Sequence, residues 1–518
     1  MSGIPGTNGK ATRREWIGLA VLALPCLLYS MDLNVLNLAV PHLTADLAPS
    51  ATQLLWIVDI YGFLVAGCLI AMGSLGDRIG RRRLLLIGAA AFGVASAFAA
   101  FAGSSEMLIA ARAVLGVSAA TLAPSTLSLI RHMFRDPHER RLAIGVWVAS
   151  FSGGGALGPL FGGLLLEHFW WGAVFLLNVP VMLLLLLLGP LLLPESRDPG
   201  AGRPDLASVA LSLVSVLAVV YGIKHIAAAG FGWPPLLWLA AGLAVGALFV
   251  RRQAVLADPL VDLGLLRSRG LRAALLINVL TVFVAFGALL FIAQYLQLVL
   301  GLGPLEAGLW TMPAGVAFAM GSIATPRLVR WMAPARVIAG GFGLTALGFA
   351  VVALAGDTGL AAVMSGMLVF CLGLAPIGAI TTDLIVGLAP PERVGAASAI
   401  SETSFELGGA LGIAVLGSVV TAVYRGAMAA VESNGIPAGA ALAARDTLGA
   451  AVAAAERLPA AQGAELLALA RAAFTHALQL ASALSAGIAL LAALIALVLL
   501  RRLTLNTGMH SDTDAGSA

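Results

Sequence analysis

Fourteen stretches of about 20 mostly apolar residues follow one another along this chain, and that is the length an α-helix needs to cross a bilayer. The spans read from the sequence are 16–40, 53–75, 84–103, 107–131, 141–165, 172–193, 206–228, 235–252, 271–299, 305–329, 335–355, 360–388, 394–423 and 476–500. Lipid offers the backbone no hydrogen-bond partners, so each stretch must satisfy its own peptide groups as a helix. Of the 518 residues only 11% are charged, where a soluble domain carries about a quarter. That sets aside a soluble globular enzyme, and abundant apolar surface sets aside a disordered chain. Residues 1–15 are polar and basic, but the run after them is too long for a signal peptide, so the first span is expected to stay as a helix.

The basic residues orient the spans. With the N-terminus in the cytoplasm and sides alternating, the inner segments hold 24 of the 30 Lys and Arg residues. Among them are Arg78, Arg81, Arg82 and Arg83; Arg131, Arg135, Arg140 and Arg141; and Arg251, Arg252, Arg267, Arg269 and Arg272. Short outer loops carry none, and four more lie in one long outer segment, 425–475. This is a positive-inside pattern, and it supports an even number of spans. Cys26, Cys68 and Cys371 sit in apolar stretches without a CxxC pair, which indicates neither a disulfide framework nor a zinc site. No GxxxxGK[ST] loop is present, so ATP is not the expected energy source.

An internal repeat divides the chain. ASFSGGGALG at 149–158 recurs as TSFELGGALG at 403–412, and GSLGDRIGRRRLLL at 73–86 has a fainter counterpart at 321–337. The expected organisation is a cytoplasmic segment 1–15, a six-helix half 16–194, two inserted helices in 206–252, a second six-helix half 271–502 and a polar tail 503–518. Segment 425–475 is Ala-rich and reads as one or two amphipathic helices over the outer mouth. Parallel repeats of this kind place a substrate path at their interface.

Charges inside the spans mark that path. A charge at a helix centre costs about 2.5–3.5 kcal/mol by insertion scales, so it needs a partner or a polar cavity. Asp32 stands about 24 Å along the first span at about 1.5 Å per residue, and Arg112 is its natural partner. Asp59 lies between Trp56 and Tyr61, and a carboxylate among aromatic rings suits a lipophilic cation. Glu402 and Glu406, four apart, share a helix face. Lys224 and His225 are expected at the outer end of the seventh span, with no more than a weak possibility of a role. Gly154, Gly158, Gly162 and Gly163 strip side chains from one face of the fifth span for close helix packing, and Pro159 supplies a kink. In loop 73–84, Gly73 and Gly80 allow a tight turn, and Asp77 can cap or pair beside Arg78 and Arg81.

These residues resemble the major facilitator superfamily, specifically its fourteen-helix drug:proton antiporter branch and, within it, the quaternary-ammonium (antiseptic-resistance) exporters. Loop 73–84 is similar to the superfamily's Gly-x-Leu-Ala-Asp-Arg-x-Gly-Arg-Lys motif, which implies a conformational latch, although Gly76 replaces the usual alanine. LIAARAVLGVSAA at 108–120 is similar to the Arg-x-x-x-Gly motif, with Leu115 replacing a glutamine, and implies that Arg112 tunes a proton-binding acid. GGALGPLFGG at 154–163 is similar to the antiporter motif that marks exporters, and MDLNVLNLAVP at 31–41 and WIVDIY at 56–61 complete the resemblance. The position matching Glu402 is an acid implicated in substrate or proton binding, while Ser401 stands where a second acid is usual. Phe318 occupies a place where some members carry an acid linked with divalent drugs, which favours monovalent cations.

The resulting expectation is an all-α membrane protein of major facilitator type, with fourteen transmembrane helices arranged 6+2+6 and both termini cytoplasmic. The resemblance implies a monomeric, multi-pass, proton-coupled multidrug antiporter of the bacterial inner membrane. It would export lipophilic, mainly cationic compounds by alternating access, contacting protons and lipids but no nucleic acid. No metal or cofactor beyond the proton gradient is expected. Asp32 with Arg112 would carry the proton, and Asp59, Glu402, Glu406, Trp56 and Tyr61 the substrate. A narrow exporter of one natural product or antibiotic is the alternative. A non-transporting scaffold is disfavoured by the cost of buried acids, and an intramembrane enzyme by the lack of a nucleophile–base or metal constellation.

Overall fold

The computed structural model describes residues 10–197, 205–230, 232–256, 259–261, 263–354, 359–389, 394–429 and 436–500. The expected tail 503–518, residues 1–9 of the expected N-terminal segment, and Arg203, Arg393, Arg501 and Arg502 lie outside these. The described residues form helices and no strand. In chain order the helices are α1 (Arg13–Leu47), α2 (Ala51–Ile79), α3 (Arg81–Ala100), α4 (Ser105–Ala119), α5 (Leu122–Met133), α6 (Pro137–His168), α7 (Ala173–Leu176), α8 (Asn178–Leu192) and α9 (Leu206–Ala229). They continue as α10 (Trp233–Val255), α11 (Arg269–Gln294), α12 (Pro304–Trp331), α13 (Pro334–Ala353), α14 (Gly359–Gly387), α15 (Val394–Met428), α16 (Ala438–Ala444), α17 (Leu448–Ala455) and α18 (Ala460–Leu499).

Local chemistry sets the helix ends. The Thr12 side chain and Glu15 form a capping box at the start of α1, and Ser50 with Gln53 does the same for α2. Asp205 caps α9 through the Ser208 amide. Gly80 ends α2 with φ of +109°, a left-handed conformation that a side chain would strain.

Thirteen described segments are long and apolar enough to cross a membrane, and α6, taken as one bent span, makes fourteen. The bend in α6 is 42°, between Gly155 and Leu157. Pro159 explains it, because it has no N–H to give the Gly155 carbonyl four residues back. The fourth span is broken at Ala120–Thr121 into α4 and α5, and the sixth into α7 and α8.

Segment 425–475, expected to hold one or two amphipathic helices, holds more helix than that. Beyond α16 and α17, its last part belongs to α18, which begins at Ala460 rather than near 476. Forty residues make a rod of about 60 Å, twice the roughly 30 Å of hydrocarbon, so the first turns of α18 stand clear of it. An Ala-rich sequence continues a helix wherever nothing stops it. The segment is anchored: Tyr424 donates a hydrogen bond to the Ala444 carbonyl (2.9 Å) and Arg471 Nε to the Leu298 carbonyl (3.0 Å). Gly449 of α17 lies against Thr44 of α1.

Helices pair lengthwise: α1 with α6, α11 with α15, α13 with α14, and α9 with α10. Across the middle of the molecule α2 lies on α15 and α6 on α12. From the inserted pair, α9 reaches both α2 and α15. Phe63, Val220, Ala410 and Ala414 form a small buried cluster at that three-helix junction.

Candidate functional site

Arg112, fully buried on α4, lies 2.5 Å from Asp32 Oδ2 on α1. Its other two nitrogens each donate to a backbone oxygen of α2, Nε to Ile57 at 3.1 Å and Nη2 to Val58 at 3.4 Å. The pairing expected from the sequence is therefore assembled, with α2 as a third participant. The guanidinium also sits 4.6 Å from the centroid of the Tyr61 ring.

That contact changes the expected grouping around Asp59. Tyr61 does not join Trp56 and Asp59, because two residues along a helix turn the side chain by about 200°. Tyr61 instead faces α1 and α4, where its buried hydroxyl has no hydrogen-bond partner among the described residues. Trp56 and Asp59, three apart, do share a face.

The face that Trp56 and Asp59 present is occupied by Lys224. Its ammonium lies 2.8 Å from Asp59 Oδ2 and 2.9 Å from Oδ1, both side chains completely buried, and 3.7 Å from the centroid of the Trp56 ring. Lys224, expected near the outer end of its span with at most a weak role, is thus a buried ion-pair partner of Asp59. The lysine points from α9 into the α2–α15 seam, because the inserted helix packs there rather than standing apart.

Glu406 on α15 is buried and accepts a hydrogen bond from the Tyr29 hydroxyl on α1. Glu402, one turn earlier, is exposed. Nothing in the sequence singled out Tyr29. Its ring neighbours Tyr61 (6.1 Å between centroids) and Phe151 (5.7 Å), so two tyrosines stand between the Asp32–Arg112 pair and Glu406. A small, partly open cleft lies beside this array, lined by Val58, Asp59, Gly62, Phe286, Phe405 and Glu406 among others. Phe318, partly exposed on α12, is not among its lining residues.

The α6 glycines serve two faces rather than one. A Cβ on Gly154 would fall 2.1 Å from the Leu27 carbonyl oxygen, and one on Gly162 2.8 Å from Val35, both on α1. One on Gly163 would fall 2.7 Å from the Pro304 carbonyl oxygen, while the Pro159 carbonyl oxygen lies 2.3 Å from where Gly308 of α12 would carry a Cβ. Gly158 is buried on the face of Gly154 and Gly162. Residues four apart stack on one face, and the next residue turns about 100° to the other neighbour.

In the 73–84 segment, Asp77 pairs with Arg81 at 2.5 Å. Gly73 lies near Pro124, and Arg78 is exposed. The Arg81 amide donates to the Ser196 carbonyl (2.9 Å) and the Arg82 amide to Glu195 Oε1 (3.0 Å). A Cβ at Gly80 would fall 2.6 Å from that carboxylate. Glu195 and Ser196 are not among the residues expected from the sequence, although an acid just after an apolar span is a legible signal. Arg81 Nε and Nη1 are buried without a hydrogen-bond partner among the described residues.

Where α9 begins and α10 ends, Arg252 of α10 bonds both oxygens of Asp205 (3.1 and 3.0 Å). Hydrogen bonds from Arg252 and then Ser208 hold the Asp205 carboxyl down at about 2.

Comparison with known proteins identifies the assembly. The family model described as Major Facilitator Superfamily matches residues 22–413. The chain is 45% identical over 507 residues to the multidrug efflux pump LfrA of Mycolicibacterium smegmatis, covering 97% of this chain and 99% of that one. It is 36% identical over 482 residues to the methyl viologen resistance protein SmvA of Salmonella typhimurium, covering 91% and 95%. Its fold is similar to the crystal structure of a bacterial homologue of the human lysosomal transporter Spinster, with a TM-score of 0.64 at 17% identity, covering 94% and 98%.

Proposed function

Because the chain belongs to the major facilitator superfamily, we propose that this multi-pass membrane protein is a proton-coupled drug efflux antiporter of a bacterial inner membrane, with both termini cytoplasmic. Its substrates are lipophilic, mainly cationic compounds such as quaternary ammonium antiseptics and dyes. The observation that carries this reading is the pair of buried acid clusters, Asp32–Arg112 and Asp59 with Glu406, joined through Tyr29 and Tyr61 beside one cleft. The 45% identity to a multidrug efflux pump, extending over both chains, supports the drug-export part.

The mechanism follows from what each group can do. Asp32 exchanges a proton for the Arg112 guanidinium: protonated, it no longer holds the arginine, which keeps its bonds to the Ile57 and Val58 carbonyls. A substrate cation is drawn to the acids of the α2–α15 cleft, whose rings add cation–π attraction. Contacts across the molecule, such as Gln297 to the Leu38 carbonyl (3.0 Å) and Gly163 against Pro304, cluster away from the arginine-rich loops. Gly145 and Gly153, towards those loops, have nothing within 4 Å of an added Cβ. This distribution supports an inward-open state in which the 73–84 latch is engaged with its own half, at Glu195, Ser196 and the Pro190 and Leu193 carbonyls. The unpartnered Arg81 nitrogens are then free to meet the opposite half when the cavity closes.

The test is ethidium efflux from cells expressing the wild type or Asp32→Asn, with and without a protonophore. Proton antiport requires wild-type efflux that collapses with the protonophore and in Asp32→Asn. Retention of ethidium equal to empty-vector cells, despite good expression, sinks the broad cation-export reading.

A further inference from the structure

Lys224 is where the molecule exceeds what the export reading requires. The chain contains two lysines, Lys10 and Lys224, against 28 arginines. The buried acid on α1 is met by an arginine that also grips two backbone carbonyls. The buried acid on α2 is met by a lysine on a different kind of helix, the inserted α9. The two cations differ physically. A guanidinium is a rigid fork held by several bonds, whereas an ammonium on a four-carbon stem is a mobile point charge.

The surroundings of the ammonium are those expected for a foreign organic cation. It has a carboxylate at 2.8–2.9 Å and an aromatic face at 3.7 Å, the two elements of cation recognition. The same Asp59 borders the cleft that holds Phe286, Phe405 and Glu406. Gly62, one turn beyond Asp59, sits close to Glu406: an added Cβ would lie 3.9 Å from Oε2. Glu406 itself is met by the neutral hydroxyl of Tyr29. Around the cleft, two buried carboxylates are therefore matched by one built-in positive charge among the described residues.

We propose that Lys224 is a tethered counter-cation occupying the Asp59–Trp56 subsite, and that it sets the charge preference of the cleft for monovalent over divalent organic cations. This rests on the cation-export reading above. With the lysine in place, one carboxylate is left for a single substrate charge, and a second substrate charge would have to compete with the ammonium. Without it, both carboxylates are open to a dication. Replacing the ammonium by a guanidinium keeps the charge but forks onto Asp59, so it resists displacement.

The experiment measures binding of ethidium (one charge) and dequalinium (two) to the purified full-length protein in lipid nanodiscs, with Lys224→Met, Lys224→Arg and Lys224→Met/Asp59→Asn. The dequalinium-to-ethidium affinity ratio should rise about tenfold in Lys224→Met, the scale of one additional charged contact. It should return to near the wild-type value in the double variant, which removes both charges. Lys224→Arg should weaken dequalinium further. A ratio within twofold of wild type in folded Lys224→Met overturns the proposal, as does an unchanged ratio in Lys224→Arg if Lys224→Met fails to fold. Wild-type protein that binds neither cation overturns the export reading together with it, whereas wild-type binding with an unmoved ratio overturns only the role of Lys224.

Discussion

The hydroxyl of Tyr29 on α1 donates a hydrogen bond to Glu406 on α15, joining residues 377 positions apart at the centre of the molecule. A hydrogen bond to a charged group contributes about 1.5–3 kcal/mol, and a buried acceptor left without its donor loses the whole of it. Tyr29→Phe removes the hydroxyl and keeps the ring between Tyr61 and Phe151. The expected result is a lowered Tm in detergent and an ethidium efflux rate reduced about tenfold. Tyr29→Phe protein with wild-type Tm and efflux would show that the bond contributes nothing to either.

The Asp32–Arg112 pair should respond asymmetrically. Arg112→Ala leaves a buried carboxylate with no partner, a change costing about 3–5 kcal/mol. Asp32→Asn leaves Arg112 bound to the Ile57 and Val58 carbonyls. Thermal unfolding of the purified variants should rank wild type, then Asp32→Asn, then Arg112→Ala well below. Equal losses would mean that the backbone contacts do not hold the guanidinium.

Glycines on α6 offer a matched pair. Gly163→Ala drives a methyl group into the backbone of α12 at Pro304 and Leu305, where nothing flexible can yield, whereas Gly153→Ala meets open space. Overpacking of this kind costs about 1–3 kcal/mol. Efflux and Tm should fall in Gly163→Ala and hold in Gly153→Ala, and the reverse order would contradict the packing described.

Asp205 gives a pH prediction with a definite sign. Arg252 and Ser208 hold its carboxyl at about 2, below the value near 3.9 of an unfolded chain. A depressed acid contributes stability that is fully present above the unfolded value and disappears as pH falls through the folded one. The Tm gap between wild type and Asp205→Asn should therefore be constant from neutral pH down to about 4 and close between about 4 and 2. A gap that persists at pH 2 would assign the effect to the α9 cap geometry rather than to the charge.

How much of this was legible in the sequence varies by residue. Asp32 and Arg112 were matched in advance because each is an intolerable charge in a span and the spans offer few partners. Glu402 and Glu406 were placed on one face by spacing, but their different exposure was not, since that depends on what packs against each turn of α15. Tyr61 was grouped with the wrong neighbours, although the 100° step of a helix argues against it from sequence alone. Lys224 gives no such signal in the sequence, because a lysine near a helix end normally extends its ammonium towards water. Here α9 turns it inward onto α2.

Hydropathy is a property of consecutive residues. So the sequence by itself determined that this chain has about fourteen spans long and apolar enough to cross a membrane, and which glycines and acids stand out of place within the spans. Tertiary structure alone decided which of those residues meet. Tyr29 reaches Glu406 and Lys224 reaches Asp59, 165 positions away, only because of how each helix is rotated and which neighbour it lies against. That rotation is set by close packing summed over whole helix faces, at glycines such as Gly154 and Gly163, and no local window of sequence contains it.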